Sequence, residues 1–381
     1  MINRSLEDHV RGRLGLGKTI VVMGARQVGK TTLPKSMFSS EDSVLWLNAD
    51  ESRVRDLFSG LSAASIAPYL AGYSTVVIDE AQRISDIGVN LKILQDSFGE
   101  SIQFIATGSS SFDLANKTNE PLTGRKWDLN LYPLSATEMI AHHGLFTEES
   151  LIDTRLVFGW YPEVVSRPEL AIATLRELTA SALYKDIFAL REIRRPEPFE
   201  KLVRALAYQI GSQVNLTELA SLVGIDRKTV DSYITLLEQA HIVFRVGSFS
   251  SNLRNELKNS SKVYFHDVGI RNAIIGDFTP ATTRPDIGSL FENFVICEMM
   301  KLNADMGRPT PERFWRTVTG QEIDLIYQTG SAIDAYEIKW SPKARVKSHA
   351  SFRNAYPQAS LTVVNRDNVL RILNEIHTKS T

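Results

Sequence analysis

The segment Thr19-Ile20-Val21-Val22-Met23-Gly24-Ala25-Arg26-Gln27-Val28-Gly29-Lys30-Thr31-Thr32 governs how the rest of this chain is read. A β-branched run, Thr19 to Val22, stops at Gly24, and Gly29-Lys30-Thr31 follows at the GxxxxGK[ST] spacing of a phosphate-binding P-loop. Gly24 and Gly29 let the backbone curl, so that the N–H groups from Ala25, Arg26, Gln27 and Val28 onward point inward at phosphate oxygens. The helix opening near Lys30 and running through Thr32 adds its positive end to the same site. Lys30 is expected to reach the β- and γ-phosphates, and the Thr31 hydroxyl to ligate Mg²⁺. The competing reading is a chance match in a glycine turn. A buried-type strand before it and a partner motif after it argue against chance.

That partner lies about fifty residues on, where Thr75-Val76-Val77-Ile78-Asp79-Glu80 is an apolar strand ending in two carboxylates. Four apolar or β-branched residues in a row suit a parallel strand buried on both faces. Asp79 would hold the metal through water, and Glu80 would polarise the attacking water in line with the γ-phosphate. Between the two motifs, Ser43 to Asn48 reads as a strand and Val54 to Leu70 as mostly helix. Ser101 to Ala106 makes a further buried strand running into Thr107-Gly108-Ser109-Ser110-Ser111. A polar side chain there would sit beside the phosphates, with Ser109 as the sensor and Thr107 as the neighbouring option. Arg125, in Pro121-Leu122-Thr123-Gly124-Arg125, would stabilise charge on the γ-phosphate in its own chain or a neighbour's, or else is a surface arginine after a turn.

Taken together, Gly24 to Thr32, Val76-Val77-Ile78-Asp79-Glu80-Ala81-Gln82, Thr107 to Ser110, and Leu122-Thr123-Gly124-Arg125 with Tyr132-Pro133-Leu134-Ser135-Ala136-Thr137-Glu138 occur in order. They resemble the bacterial and archaeal AAA+-superfamily ATPases that join an AAA domain to a C-terminal domain of unknown function, and the resemblance covers nearly the whole chain. It implies ATP as the nucleotide, which the P-loop alone does not. Pro34 departs from the pattern and predicts a local kink in the P-loop helix.

A chain of 381 residues has room for two or three domains. Its net charge of −1 confines any nucleic-acid surface to a local patch. The single cysteine, Cys297, excludes an internal disulfide framework and suits a reducing cytoplasm. No signal peptide or membrane span is read, so a cytoplasmic location is expected. The expected division is an AAA+ core with a parallel α/β sheet over residues 1–150, a helical lid and linker over 151–190, a winged helix-turn-helix over 191–260, and a nuclease-like α/β domain over 261–381.

Leu156 to Val165 resembles the family's lid, and Arg191 to Pro196 breaks the helical spacing of Thr174 to Leu190. Asn215-Leu216-Thr217-Glu218 opens a helix by a capping box, Gly224 turns the chain, and Asp226 caps a second helix with Val230, Tyr233, Ile234 and Leu237 on one face. With a strand from His241 to Val246, this is the order of a winged helix-turn-helix. In a DNA-binding version Arg227, Lys228 and Thr229 would enter the major groove, so DNA or RNA contact is expected through residues 215–250 and the C-terminal domain; a scaffold or protein-contact role is the equal alternative.

In the last domain, Asp324 on one strand and Glu337-Ile338-Lys339 on the next make D-(x)12-E-x-K, which looks like the PD-(D/E)XK nuclease fold. Glu337 and Lys339, two apart, face the same way, with Tyr336 and Ile338 facing the core. Asp324, Glu337 and Glu292, from the helix around Leu290 to Val295, would bind Mg²⁺, and Lys339 would orient water or offset charge. The bland alternative is a solvated hairpin face, and a nuclease fold also persists as an inactive platform. Two functions follow: an ATPase whose hydrolysis moves a nucleic-acid-binding or nuclease-like module, or a nucleotide-gated switch for a protein partner. A homo-oligomer is compatible with both.

Overall fold

The computed structural model describes residues 2–38, 43–109, 122–181, 187, 196–250, 261–308, 310–317, 319–344 and 350–379. Ser110, Ser111, Pro121 and the linker residues 191–195 lie outside them. Five strands, β1 (Thr19–Met23), β2 (Val44–Asn48), β3 (Thr75–Asp79), β4 (Gln103–Gly108) and β5 (Lys126–Asn130), form a parallel sheet in the order β2-β3-β4-β1-β5. The β-branched runs that predicted β1 and β3 are buried on both faces, as parallel strands between helices require.

The two faces carry different cores. Val21, Val76, Ile78 and Phe104 pack on the helices that lie between β2 and β4, Ser52–Phe58, Ala63–Leu70 and Ile87–Phe98. Ile20, Val22, Val77 and Ile105 instead join a cluster that runs on through Leu156, Trp160, Leu237, Phe294 and Leu373. The C-terminal half is therefore built onto the second face of the P-loop sheet. Trp160 lies flat on Phe294, with ring centroids 4.7 Å apart. Its backbone N–H donates to Asp267 Oδ2 at 2.7 Å. Gly159, at φ +73°, is needed for this approach, because a Cβ there would fall 2.2 Å from Asp267 Oδ1.

Beyond the helices Leu145–Phe158, Pro162–Ser166 and Ala171–Ala180, the helix Pro196–Tyr208 leads into Leu216–Val223 and Arg227–Gln239. Asn215 and Asp226 cap the last two through their side chains, and Gly224 between them takes φ +74°. The strands β6 (Val243–Ser248) and β7 (Lys262–Phe265) then pair antiparallel, across the boundary expected at residues 260 and 261. They extend a six-stranded sheet, β11-β10-β9-β8-β6-β7, with β8 (Arg313–Arg316), β9 (Glu322–Thr329), β10 (Ala332–Ile338) and β11 (Ser360–Val364). Helix Ile287–Asp305 covers one face of it, where Ile338 joins the main cluster with Tyr336 packed against it. The other face, with Ile333 and Ala335, packs on Phe352. The Glu337 side of β10 is therefore covered too, in place of the solvated hairpin face.

Pro34 causes no disruption that the fold must repair. It stands third in the helix Thr32–Met37, and its carbonyl accepts the Phe38 N–H at 3.1 Å, so the helix continues past it.

Candidate functional site

The P-loop emerges from the C-terminal end of β1, beside the ends of β3 and β4. Gly24, at φ +159°, is pressed so closely on the strand-exit segment after β5 that a Cβ would lie 2.1 Å from Leu131 O. Gln27 takes a left-handed φ of 59°, and Gly29 follows at φ +101°. Such alternation turns successive amides toward one side of the loop. The Lys30 ammonium is buried and donates to Gly24 O at 3.0 Å and Ala25 O at 2.7 Å. Thr31 Oγ1 donates to Asp79 Oδ2 at 2.9 Å, and Thr107 Oγ1 also donates to Asp79. A carboxylate beside hydroxyl oxygen, at the mouth of an amide-lined loop, is a donor set suited to Mg²⁺, which keeps waters and takes few protein ligands.

Glu80 follows Asp79 directly, in the left-handed region at φ 52°. A non-glycine residue there is uncommon, and the Glu80 carboxylate accepts from Gln82 Nε2 at 2.5 Å. Ser109 follows Gly108, which is paired with Met23, so Ser109 is level with the start of the loop. Thr107, the alternative, is the residue that contacts Asp79. Arg125 is not brought to the site. Lys126 pairs with Thr19, so Arg125 sits at the opposite end of the sheet, five strand residues or roughly 16 Å from the P-loop. There it donates to Asp96 at 2.6 Å in an exposed ion pair. In its own chain it is a surface arginine.

Two contributors escaped the sequence reading. Arg4 donates to Val28 O at 2.7 Å, to Tyr132 O at 2.6 Å and to Glu138 at 3.0 Å, tying the N-terminal segment to the loop. Beside it opens a cavity of about 480 Å³, lined by Asn3, Arg4, Gly29, Thr32, His143 and Pro162 among others. It adjoins the phosphate loop and is of a size for a nucleoside. His241, from the far half of the chain, is the second. Burial, aided by the Lys30 charge, pushes its pKa down to about 4. It lies edge-on to Tyr132, 6.4 Å between centroids, and Tyr132 stacks on His266 at 5.5 Å. A lone histidine before a strand carries no pattern that would have placed it beside a loop two hundred residues away.

The second expected site also assembles. Glu292, Asp324, Glu337 and Lys339 line one pocket of about 450 Å³, with Lys262, Arg316 and Glu322. Lys339 Nζ is 2.5 Å from Glu337 and 3.7 Å from Asp324. Burial first, and the Glu337 charge in support, push the Asp324 pKa up to about 6 against the opposing Lys339 charge. Among the described residues no three Asp, Glu, His or Cys side chains are grouped to hold a metal ion. Lysine ammoniums occupy these carboxylates instead. The helix Arg227–Gln239 leaves Arg227 and Lys228 exposed, while Arg245 is paired to Asp231 and Glu238.

A P-loop on a parallel sheet, with an aspartate at the end of the strand two positions away, defines the P-loop nucleoside-triphosphatase fold. Residues 17–140 match the family described as AAA domain, and this part of the chain is an AAA+ P-loop ATPase domain. Residues 149–281 and 287–379 match two families described as domains of unknown function. An uncharacterised protein of Mycobacterium tuberculosis is 26% identical over 351 residues, 88% of this chain and 73% of the relative. One of Methanocaldococcus jannaschii is 24% identical over 72% of this chain and 66% of its own length. Similar solved structures include a signal transduction ATPase with numerous domains from Pyrococcus horikoshii (TM-score 0.29, 13% identity, 80% of this chain and 47% of that one). Another is Cdc6p of Pyrobaculum aerophilum (TM-score 0.30, 13% identity, 72% and 92%). At scores this low, the family match alone carries the class. Among the described residues no helix is long and apolar enough to cross a membrane.

Proposed function

We propose that the chain binds and hydrolyses ATP and uses the nucleotide state to reposition its C-terminal half. The observation that carries this is the Thr31–Asp79–Thr107 contact beside the Lys30 loop. In this reading Gly24 to Thr32 hold the phosphates, with Lys30 leaving its two backbone carbonyls for the β- and γ-oxygens. Thr31 and Asp79 would hold Mg²⁺, which would supply charge neutralisation at the phosphates. Glu80 accepts the proton of the attacking water, and Ser109 or Thr107 senses the γ-phosphate. Adenosine fills the cavity beside Arg4. Movement reaches the C-terminal half because His241 borders Lys30 and because Lys301 and Glu298 of helix Ile287–Asp305 bind Leu134 O and Ala136 N.

In the reading that follows most directly, Arg227 and Lys228 at the start of a winged-helix recognition helix contact DNA or RNA, and the PD-(D/E)XK-like domain follows on the same substrate. The second reading is a slow nucleotide-gated switch with a protein partner and a non-catalytic C-terminal platform, favoured by the lysines seated on the pocket carboxylates. Phosphate release from ATP with Mg²⁺, measured with and without DNA or RNA across salt, tests both. Turnover that nucleic acid stimulates, and that Arg227→Ala with Lys228→Ala desensitises, supports the first. A flat response supports the switch. Turnover unchanged in Glu80→Gln removes the hydrolytic assignment.

A further inference from the structure

The C-terminal pocket contains a cation that the sequence pattern did not announce. Lys262, on β7, is 2% exposed. Its Nζ is 2.9 Å from Glu292 Oε1 and 2.5 Å from Glu322 Oε1. Phe314 lies under the same ammonium, 5.4 Å from ring centroid to nitrogen. Two residues on, and so on the same face of β7, Tyr264 donates its hydroxyl to Glu292 Oε1 at 2.6 Å. The oxygen of Glu292 that would face a metal is thus already taken by an ammonium and a phenol. Asp324 is similarly engaged, accepting from Ile338 N at 2.7 Å with Lys339 3.7 Å away.

A magnesium or manganese ion binds carboxylate oxygens at about 2.0–2.1 Å and uses the lone pairs that these donors occupy. An ammonium fixed by burial cannot swing into solvent as a surface lysine can. A dication entering beside it would meet a like charge at about 4 Å in a partly screened pocket, a repulsion large against typical weak metal affinities.

We infer that Lys262 is the resident cation of this pocket: it holds the place of a divalent metal between Glu292 and Glu322 and makes the C-terminal domain refuse Mg²⁺ and Mn²⁺. The consequence is a pocket with the outline of a phosphodiester-cleaving site but without its metal chemistry. Specificity there is set by one strand residue.

The test is Mn²⁺ titration of the full chain without nucleotide, followed by electron paramagnetic resonance of free Mn²⁺. Binding at this pocket is defined as the part that Asp324→Asn removes, which separates it from any site at Asp79. The wild-type protein is expected to show no such binding at millimolar Mn²⁺. Lys262→Met, and the milder Lys262→Gln, should gain about one Asp324-dependent equivalent, tighter by roughly a hundredfold, as withdrawal of one nearby like charge implies. Asp324-dependent binding by the wild type overturns the inference. So does a Lys262 variant that keeps the wild-type circular dichroism and melting profile yet gains no metal. If neither variant folds, the wild-type titration still decides, since binding there refutes the inference and its absence supports it.

Discussion

At the P-loop the buried ammonium of Lys30 rests on two backbone carbonyls, whereas in the C-terminal pocket Lys262 and Lys339 sit directly on carboxylates. Asp79 is consequently left with hydroxyl partners, Thr31 and Thr107, which an incoming metal can share or displace. Glu292 and Glu337 have their charge compensated from within the chain. The cavity beside Arg4 and the C-terminal pocket hold comparable volumes. What distinguishes them is where the lysine sits. A lysine held by carboxylates has already found its counter-charge within the chain.

The comparison breaks most easily at Lys30. Lys30→Ala should lower ATP turnover by about three orders of magnitude, since it removes the charge closest to the transferred phosphoryl group. Unchanged phosphate release in that variant would mean that the loop is not the nucleotide site. Glu80→Gln should cost about a hundredfold in turnover and leave ATP affinity near the wild-type value, measured by fluorescent-nucleotide binding.

A pH titration of stability sharpens the contrast further. His241 has a folded pKa near 4, depressed from the unfolded range of about 6.5. Its neutral form is therefore favoured by folding, and the stability it gives is complete above the unfolded value. That contribution falls as pH drops from about 6.5 toward 4, amounting to about 2 kcal/mol by pH 5. His241→Asn, chosen because asparagine tolerates the left-handed φ of 49°, should flatten this part of the urea-midpoint profile. A profile parallel to the wild type would show that His241 is not buried against the P-loop. Asp324 should act in the opposite sense: its raised pKa favours the protonated form, so its contribution declines as pH rises through about 4 to 6.

The smallest effect is expected at Arg125. An exposed pair with Asp96 is worth about 0–1 kcal/mol. Arg125→Ala should leave turnover within about twofold of wild type, consistent with its place at the far edge of the sheet. A loss that deepens with protein concentration would instead show that it serves a neighbouring copy.

Much of the first domain was legible because its signals are local. Glycines at fixed spacing, a β-branched strand and paired carboxylates after a second strand are dictated by backbone geometry within a few residues. The caps at Asn215 and Asp226 were legible for the same reason. Arg125 misled because a sequence gives order along the chain but not which end of a parallel sheet a turn occupies. The D-(x)12-E-x-K spacing correctly brought Asp324, Glu337 and Lys339 together, since a two-residue turn sets the register of β9 and β10. It was silent about Lys262, which arrives from a strand sixty residues earlier.

The sequence by itself therefore determined the phosphate loop, the aspartate and glutamate after the strand Thr75–Asp79, and the helix caps at Asn215 and Asp226, because each depends on short-range conformational preference and alternation. Only the tertiary structure decided that Arg4 and His241 border the loop, that Arg125 does not, and that a lysine fills the C-terminal pocket. Those facts depend on which faces bury together. Burial is settled by the whole chain's packing, and it changes the chemistry of a charged group more than any neighbour in sequence can.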